Sequence, residues 1–249
     1  MNRVLSTYAF VAVALGAMGI PAYGDVVTLD TGSGYQNGGL YITLAGVFDS
    51  PTSNAGGDIG LPPNNGSIDG VPVPFLYCLD IVKEIIVPSS DEATLSDAGI
   101  VDGNLLNGAA QIAWLVDNIA LAATDLSDPQ AAHDAQLGLQ AAIWQQIYGS
   151  NFALVPYDPN NSNTSSQGVT NAYNADIAAL AGQSAPLNHA IWISTFSGDP
   201  SSPIWLQPLV TASSLSTPSA STVPEASTFV VWSLLGAVGV VVARRRQAV

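Results

Sequence analysis

The sequence predicts an α+β fold, a β-sandwich or barrel with an inserted helical lobe, followed by a C-terminal transmembrane helix. Three observations lead to this prediction. Segments rich in β-branched and aromatic residues occur early and late in the central region. Between them lie segments of helical composition, one of which is opened by Asp128 and Pro129. Near the C-terminus, the range 229–243 carries no charge.

The strands are predicted on both sides of the helical segments. Residues 40–48 combine β-branched and aromatic side chains between glycines, which predicts the first strand. A loop rich in Gly, Pro, Asn and Ser is predicted at 49–74. The apolar, β-branched range 75–87 predicts a second strand or hairpin. Ranges 189–196 and 203–210 have a similar composition and predict closing strands.

Three helices are predicted between these strands. Range 105–122 has a helical composition. Asp128 as N-cap, with proline in the first turn, predicts a helix over 129–148 that ends at a glycine. After a loop rich in Asn, Ser and Pro at 157–168, a short helix is predicted at 169–181.

Residues 1–24 are predicted to be a secretory signal peptide. Arg3 gives a positive start, an apolar run extends from Tyr8 to Ile20, and small residues lead to a cleavage site after Gly24. The apolar run is shorter than the roughly 20 residues that a spanning helix requires. The exported domain is therefore predicted to begin at residue 25 and to extend to residue 210.

The last segment, 223–249, has three parts in a fixed order. It opens with Val223, Pro224 and Glu225, continues with the uncharged range 229–243, and closes with Arg244, Arg245 and Arg246. Because arginines next to a membrane helix stay on the cytoplasmic side, the domain is predicted to lie outside. Ahead of this segment, 211–222 is rich in Ser, Thr, Ala and Pro and is predicted to be a flexible linker.

This order resembles the PEP-CTERM sorting tail, with Ala226 where the usual motif has its second proline. The resemblance implies an exosortase-type processing enzyme as a partner and removal of the membrane helix. A plain C-terminal membrane anchor would give the same topology. The expected location is first the membrane of the cell envelope and then the cell surface or the extracellular space.

The charge of the chain excludes one large class of functions. The sequence has 19 acidic residues against 5 Lys and Arg, and Lys83 is the one Lys or Arg between the two end segments. Such a domain repels phosphate backbones, so no nucleic-acid partner is expected. One cysteine and two histidines far apart in the sequence disfavour zinc. No metal, cofactor or enzymatic motif is predicted.

Cys78 and Gln140 are the two residues of chemical interest. Cys78 is the sole cysteine of a chain predicted to be exported, so no intramolecular disulfide is available to it. Its apolar neighbours also suit a buried, unreactive thiol. Gln140 lies on a mostly apolar stripe of the predicted helix, together with Trp144, and should face the core. A buried amide requires hydrogen-bond partners.

Two sequence stretches resemble the thioester domains of bacterial surface adhesins. They are Tyr77-Cys78-Leu79-Asp80 and Leu139-Gln140-Ala141-Ala142-Ile143-Trp144. The resemblance implies that Cys78 and Gln140 form an internal thioester, which attaches to a surface or matrix ligand through its amine or hydroxyl groups. Trp144 and Tyr77 would keep water away from this bond. Asp80 would orient or deprotonate an incoming amine, unless it is a solvated or capping carboxylate.

Two other functions are left open by the sequence. One is a non-covalent structural protein of the matrix or surface, with Cys78 merely buried. The other is a hydrolase using paired carboxylates such as Asp80 and Glu84, which is the least favoured. His133 is expected to be exposed on its helix. In an unbroken strand, Lys83 would lie on the face opposite Cys78.

Overall fold

The computed structural model describes residues 25–29, 39–52, 66–73, 75–83, 88–198 and 203–213. The first strands are β1 (Asp25–Leu29), β2 (Ile42–Leu44), β3 (Phe48–Thr52), β4 (Gly66–Ile68), β5 (Val71–Val73), β6 (Tyr77–Cys78), β7 (Ser89–Ser96), β8 (Ile100–Val101) and β9 (Asn104–Leu105). The helices are α1 (Ala109–Asn118), α2 (Ala120–Thr124), α3 (Pro129–Tyr148) and α4 (Gln167–Leu180). The remaining strands are β10 (Phe152–Leu154), β11 (Ala190–Ser197), β12 (Ile204–Trp205) and β13 (Leu209–Ala212).

The fold is a mixed α and β structure built on a curled antiparallel sheet. The main sheet has eight strands in the order β5-β4-β1-β7-β11-β13-β6, with β12 paired to β11. Smaller sheets are formed by β10-β2-β3 and by β8-β9. Strands β5 and β6 are the ends of the main sheet and do not pair with each other, so the sheet is a half-barrel, where the sequence predicted a sandwich or barrel. The four helices lie between β9 and β11 in the chain, as expected for a helical insertion.

Helix α3 is the element most fully predicted from the sequence. Its N-cap carboxylate, Asp128 Oδ1, accepts a hydrogen bond from the backbone N–H of Gln130 at 2.9 Å. The helix ends at Tyr148, where Gly149 adopts φ 56°. The helix predicted at 105–122 instead begins at residue 109 and is interrupted at Ile119.

The helices pack closely on one another and on the sheet. Gly138 of α3 faces α4 so tightly that an added Cβ would lie 2.6 Å from the Cβ of Ala172. On α3, Leu139 and Ile143 enter a core cluster shared with α1 and the main sheet. Trp144, one residue along, enters a second cluster, with the strands of the small sheet. Helix α3 therefore lies between two parts of the core.

Several strands differ from the sequence prediction. The range 40–48 is divided between β2 and β3 by a turn, and 75–87 contributes the two residues of β6 within its described part. The predicted loop 49–74 contains the β4–β5 hairpin, whose turn residues Asp69 and Gly70 both have positive φ angles, 51° and 74°. Strands β1 and β7 were not predicted. The last strand ends at residue 212, two residues beyond the predicted domain boundary.

The predicted end regions of the chain lie outside the described residues. These are the signal peptide at 1–24, most of the linker at 211–222, and the tail at 223–249 with its predicted membrane helix at 229–243 and its arginine cluster. In the part of the chain that the structure describes, no helix has both the length and the apolar composition needed to cross a bilayer.

Candidate functional site

Cys78 lies on the open edge of the main sheet. Strand β6 pairs with β13, where Cys78 stands opposite Leu209. The next residue, Leu79, donates its backbone N–H to the carbonyl of Pro208 at 2.9 Å. Because backbone groups alternate in direction along an antiparallel strand, the N–H and C=O of Cys78 point away from β13. They face the position where a further strand would pair.

The side chain of Gln140 occupies that position. The backbone N–H of Cys78 donates to Gln140 Oε1 at 2.9 Å, and Gln140 Nε2 donates to the backbone carbonyl of Cys78 at 2.8 Å. One primary amide therefore satisfies both edge groups, as the backbone of a neighbouring strand would. Gln140 is 2% exposed, so these bonds are shielded from solvent on the side of α3. The structure thus brings together the two residues that the sequence paired.

The thiol of Cys78 is held in its neutral form. The residue is partly buried between two core clusters. Burial, followed by the negative charge of Asp80, raises the pKa of the thiol to about 12. A free thiol in this setting is a weak nucleophile at neutral pH, because the thiolate is the reactive species. Any reaction of Cys78 therefore depends on positioning and on local proton transfer.

The two predicted shielding residues lie in different core clusters. Trp144 is fully buried in the same cluster that Cys78 packs against, and its ring lies 6.3 Å from that of Phe152. Tyr77 is buried in a third cluster, the one shared with α1, with its ring 5.5 Å from that of Phe75. Burial raises the pKa of the Tyr77 phenol well above its usual value. Trp144 is thus the predicted residue that shares an apolar environment with Cys78.

Asp80 closes the turn that follows β6. Its Oδ1 accepts from the backbone N–H of Val82 at 2.9 Å and from the Tyr148 hydroxyl at 3.1 Å. The same hydroxyl accepts from the backbone N–H of Ile81 at 3.0 Å. These bonds are those of a capping carboxylate, one of the two roles considered for Asp80. They also fix the carboxylate two residues from Cys78.

Lys83 is paired with two carboxylates near this turn. Its Nζ lies 2.6 Å from Asp102 Oδ2 and 3.8 Å from Asp80 Oδ2. The expectation that Lys83 lies opposite Cys78 assumed an unbroken strand. Strand β6 ends at Cys78 and the chain turns, so the ammonium group returns to the side of Asp80.

Tyr148 was missed in the sequence, although a signal was present. Gln140, Trp144 and Tyr148 are spaced four residues apart on α3, which places all three along one face of the helix. The stripe was recognised at its first two positions. Tyr148, at the last position, matters because the turn after β6 brings Asp80 to the C-terminal end of α3. Only the three-dimensional structure shows that turn.

The histidines lie elsewhere. His133 is 5% exposed, so its predicted exposure is wrong; α4 and the segment at Gly39 cover that face of α3. His189 Nδ1 lies 2.8 Å from Asp117 Oδ2 near the end of α1. Glu84, considered for a hydrolase, lies outside the described residues. Among the described residues, no cluster of three His, Cys, Asp or Glu is arranged to hold a metal ion.

Comparison with known proteins gives one weak likeness. No protein-family model matches the chain, and no curated protein matches it. Among solved structures, it is similar to the N-terminal thioester domain of protein F2 like fibronectin-binding protein from Streptococcus pneumoniae, at 14% identity and a TM-score of 0.37. The alignment covers 78% of this chain and 94% of that one. A TM-score of this size does not establish a common fold.

Proposed function

We propose that this chain is an exported cell-surface or extracellular-matrix protein that attaches covalently to a partner through a thioester between Cys78 and Gln140. The observation that carries the proposal is the reciprocal hydrogen bonding between the Gln140 amide and the Cys78 backbone, at 2.9 and 2.8 Å. It places the carbonyl of the amide beside the residue that bears the thiol. The side chain of Gln140 and the backbone of Cys78, 62 residues apart in sequence, are held together in this way, which supports a reaction between the two residues.

These hydrogen bonds favour formation of the thioester. Cys78 Sγ attacks Gln140 Cδ, the C–N bond breaks, and the amide nitrogen leaves as ammonia after taking up the thiol proton. Negative charge develops on Gln140 Oε1 in the tetrahedral intermediate. The N–H of Cys78 already points at this oxygen and stabilises that charge. The Cys78 carbonyl holds the departing nitrogen in a fixed orientation.

The environment of Cys78 then protects the product. A thiol with a raised pKa is a poor leaving group, so opening by water is slow unless a proton reaches the sulfur. Trp144 supplies the apolar surroundings that exclude water. An amine or hydroxyl on the partner attacks Gln140 Cδ, the C–S bond breaks, and the partner is joined to Gln140. This transfer occurs once for each molecule, so the protein is not proposed to be an enzyme.

Asp80 and Tyr148 are the groups proposed to take part in proton transfer. Asp80 accepts a proton from the incoming amine. Tyr148 remains protonated, because burial raises the pKa of its phenol, and its hydroxyl is already hydrogen-bonded to Asp80. In this proposal the proton then passes from Asp80 to the sulfur of Cys78 as the C–S bond breaks, while the Tyr148 hydroxyl holds the carboxylate through its hydrogen bond. Asp80 thus combines its capping role with proton transfer.

The location of the protein is proposed from the two end segments. The signal peptide at 1–24 exports the chain, and the tail at 223–249 holds it in the cell-envelope membrane. An exosortase-type enzyme then removes the membrane helix. A released domain with Lys83 as its single Lys or Arg would limit attachment between copies of the protein. The partner carries amines, which such copies mostly lack, or hydroxyls.

A second candidate is a non-covalent structural protein of the surface or matrix with an unreactive Cys78. The observation that favours it is the same amide, since Gln140 fully satisfies the edge of β6 without any chemistry. In this case Cys78→Ala leaves surface retention unchanged.

The intact mass of the purified protein separates the two candidates. A thioester makes the chain lighter by one ammonia, and methylamine then adds to Gln140 and exposes a titratable thiol. Cys78→Ala serves as the control and shows the full mass with no addition. A full wild-type mass, with Cys78 freely alkylated from the start, would rule out the thioester.

A further inference from the structure

An open cleft lies between the loop that precedes α4 and the segment that precedes β2. Its walls are residues 157–166, except 163, on one side and Gly39 and Tyr41 on the other. We call it the tyrosine cleft, after Tyr41 and Tyr157. Its volume is about 720 Å³, which is within the range of sites for small organic ligands. The proposed thioester does not use it.

The walls of the tyrosine cleft are fixed by their own hydrogen bonds. Ser165 Oγ accepts from the N–H of Tyr41 at 2.9 Å and donates to the carbonyl of the same residue at 3.1 Å, which joins the two walls. Within the loop, Asp158 Oδ1 accepts from the N–H of Asn160 at 2.9 Å. A cleft that is already ordered loses little conformational entropy when a ligand binds.

The lining combines aromatic faces with neutral polar groups. Tyr157 is 44% exposed and presents an apolar ring with a polar hydroxyl. The amides of Asn160 and Asn161 and the hydroxyl of Ser162 are exposed beside it and supply donors and acceptors in both directions. Among the described residues of the lining, Pro159 is the sole apolar side chain that is not aromatic. Such a surface suits a ligand with one apolar face and a rim of hydroxyls.

The charge of the lining further restricts the class of ligand that fits the cleft. Asp158 is its one charged residue, and no Lys, Arg or His is among the described residues that line it. An anionic ligand would find no cation with which to pair and would be repelled by the net charge of −14. The carboxylate of Asp158 accepts hydrogen bonds from hydroxyl groups. We propose that the tyrosine cleft binds a short neutral oligosaccharide, with a sugar ring against Tyr157.

Binding of three neutral trisaccharides tests the proposal. Cellotriose, maltotriose and the trimer of N-acetylglucosamine are each titrated into the full chain by isothermal calorimetry. At least one is expected to bind with millimolar or tighter affinity. Tyr157→Ala should weaken that binding by about tenfold or more because the stacked ring is lost, whereas Tyr157→Phe should retain it.

Two controls complete the experiment. Trp205 is 36% exposed on β12, outside the cleft, so Trp205→Ala should leave the affinity unchanged. Trigalacturonate, an anionic sugar, should not bind. The titrations are repeated on Cys78→Ala protein, so that the outcome does not depend on the thioester. Absence of binding by all three neutral sugars, binding that survives Tyr157→Ala, or equal binding of trigalacturonate would each overturn the proposal.

Discussion

Opening the proposed thioester with methylamine should lower the stability of the folded protein by a predictable amount. The bond would join Cys78 and Gln140, which are 62 residues apart in sequence. A cross-link of this span restricts the unfolded chain, and the loop-entropy relation used for disulfides gives about 4 kcal/mol. Methylamine breaks the cross-link but leaves an amide on Gln140. The hydrogen bond from the N–H of Cys78 to Gln140 Oε1 is kept, and the trans N-methylamide, like the thioester, presents no N–H to the Cys78 carbonyl, so the difference isolates the cross-link.

The measurement is urea unfolding of the same preparation before and after treatment with methylamine, with the intact mass recorded for both samples. A loss of about 4 kcal/mol corresponds to a decrease of roughly 8–16 °C in Tm for a domain of this size. Cys78→Ala protein cannot form the bond and should unfold like the opened wild type, with no response to methylamine. If the mass shows complete opening while the unfolding free energy changes by less than about 1 kcal/mol, the proposed cross-link does not constrain the chain.

Three further predictions concern the surroundings of the site. Tyr148→Phe removes the hydroxyl that bonds to Asp80 and to the N–H of Ile81, so the unfolding free energy should fall by about 1–3 kcal/mol. Methylamine should also add more slowly to this variant. An unchanged rate of addition, followed by intact mass over time, would exclude Tyr148 from proton transfer. Burial raises the pKa of Asp176 to about 7, so the folded state binds the proton more tightly than the unfolded state does. The stability of the folded protein should therefore fall as the pH rises from about 4 to 7 and stay constant above pH 7. The decline should total roughly 4 kcal/mol and disappear in Asp176→Asn when urea midpoints are compared across pH; a slope that persists in the variant would contradict the assignment. Gly138→Ala places a methyl group 2.6 Å from the Cβ of Ala172, which should separate α3 from α4 and lower the unfolding free energy by about 1–3 kcal/mol. Thermal unfolding unchanged from wild type would show that the two helices adjust freely.

The elements that the sequence predicted well are those defined by local signals. Helix α3 follows from Asp128, from the proline after it and from the glycine at its end, all of which act within one turn. Strand β7 carries no such signal. Its sequence, Ser89–Ser96, is mostly polar, and it is held in place by hydrogen bonds to β1 and β11 on both sides. Strand pairing overrides local composition here, so a single sequence does not show it.

The residues of the candidate site also differ in how far the sequence could predict them. Cys78 and Gln140 could be paired from two short motifs, and the structure adds the geometry, in which the backbone of Cys78 bonds to the amide. Tyr148 and Lys83 could not be placed, because their positions depend on the turn after β6 that Asp80 closes. The alternating strand pattern assumed for Lys83 does not hold, because β6 ends at Cys78. Turns of this kind depend on contacts from distant parts of the chain.

The amide of Gln140 has a consequence for the edge of the sheet after the proposed reaction. When the thioester forms, the nitrogen that donates to the carbonyl of Cys78 departs, and that carbonyl loses its donor while the N–H of Cys78 keeps its acceptor. Attack by a primary amine gives a secondary amide, whose trans form carries the partner's carbon where that N–H stood, and attack by a hydroxyl gives an ester with no N–H at all. An unpaired carbonyl at this edge costs about 1–3 kcal/mol. Attachment of a partner would therefore leave the Cys78 carbonyl without its original donor, so the edge of the sheet would stay different from that of the unreacted protein.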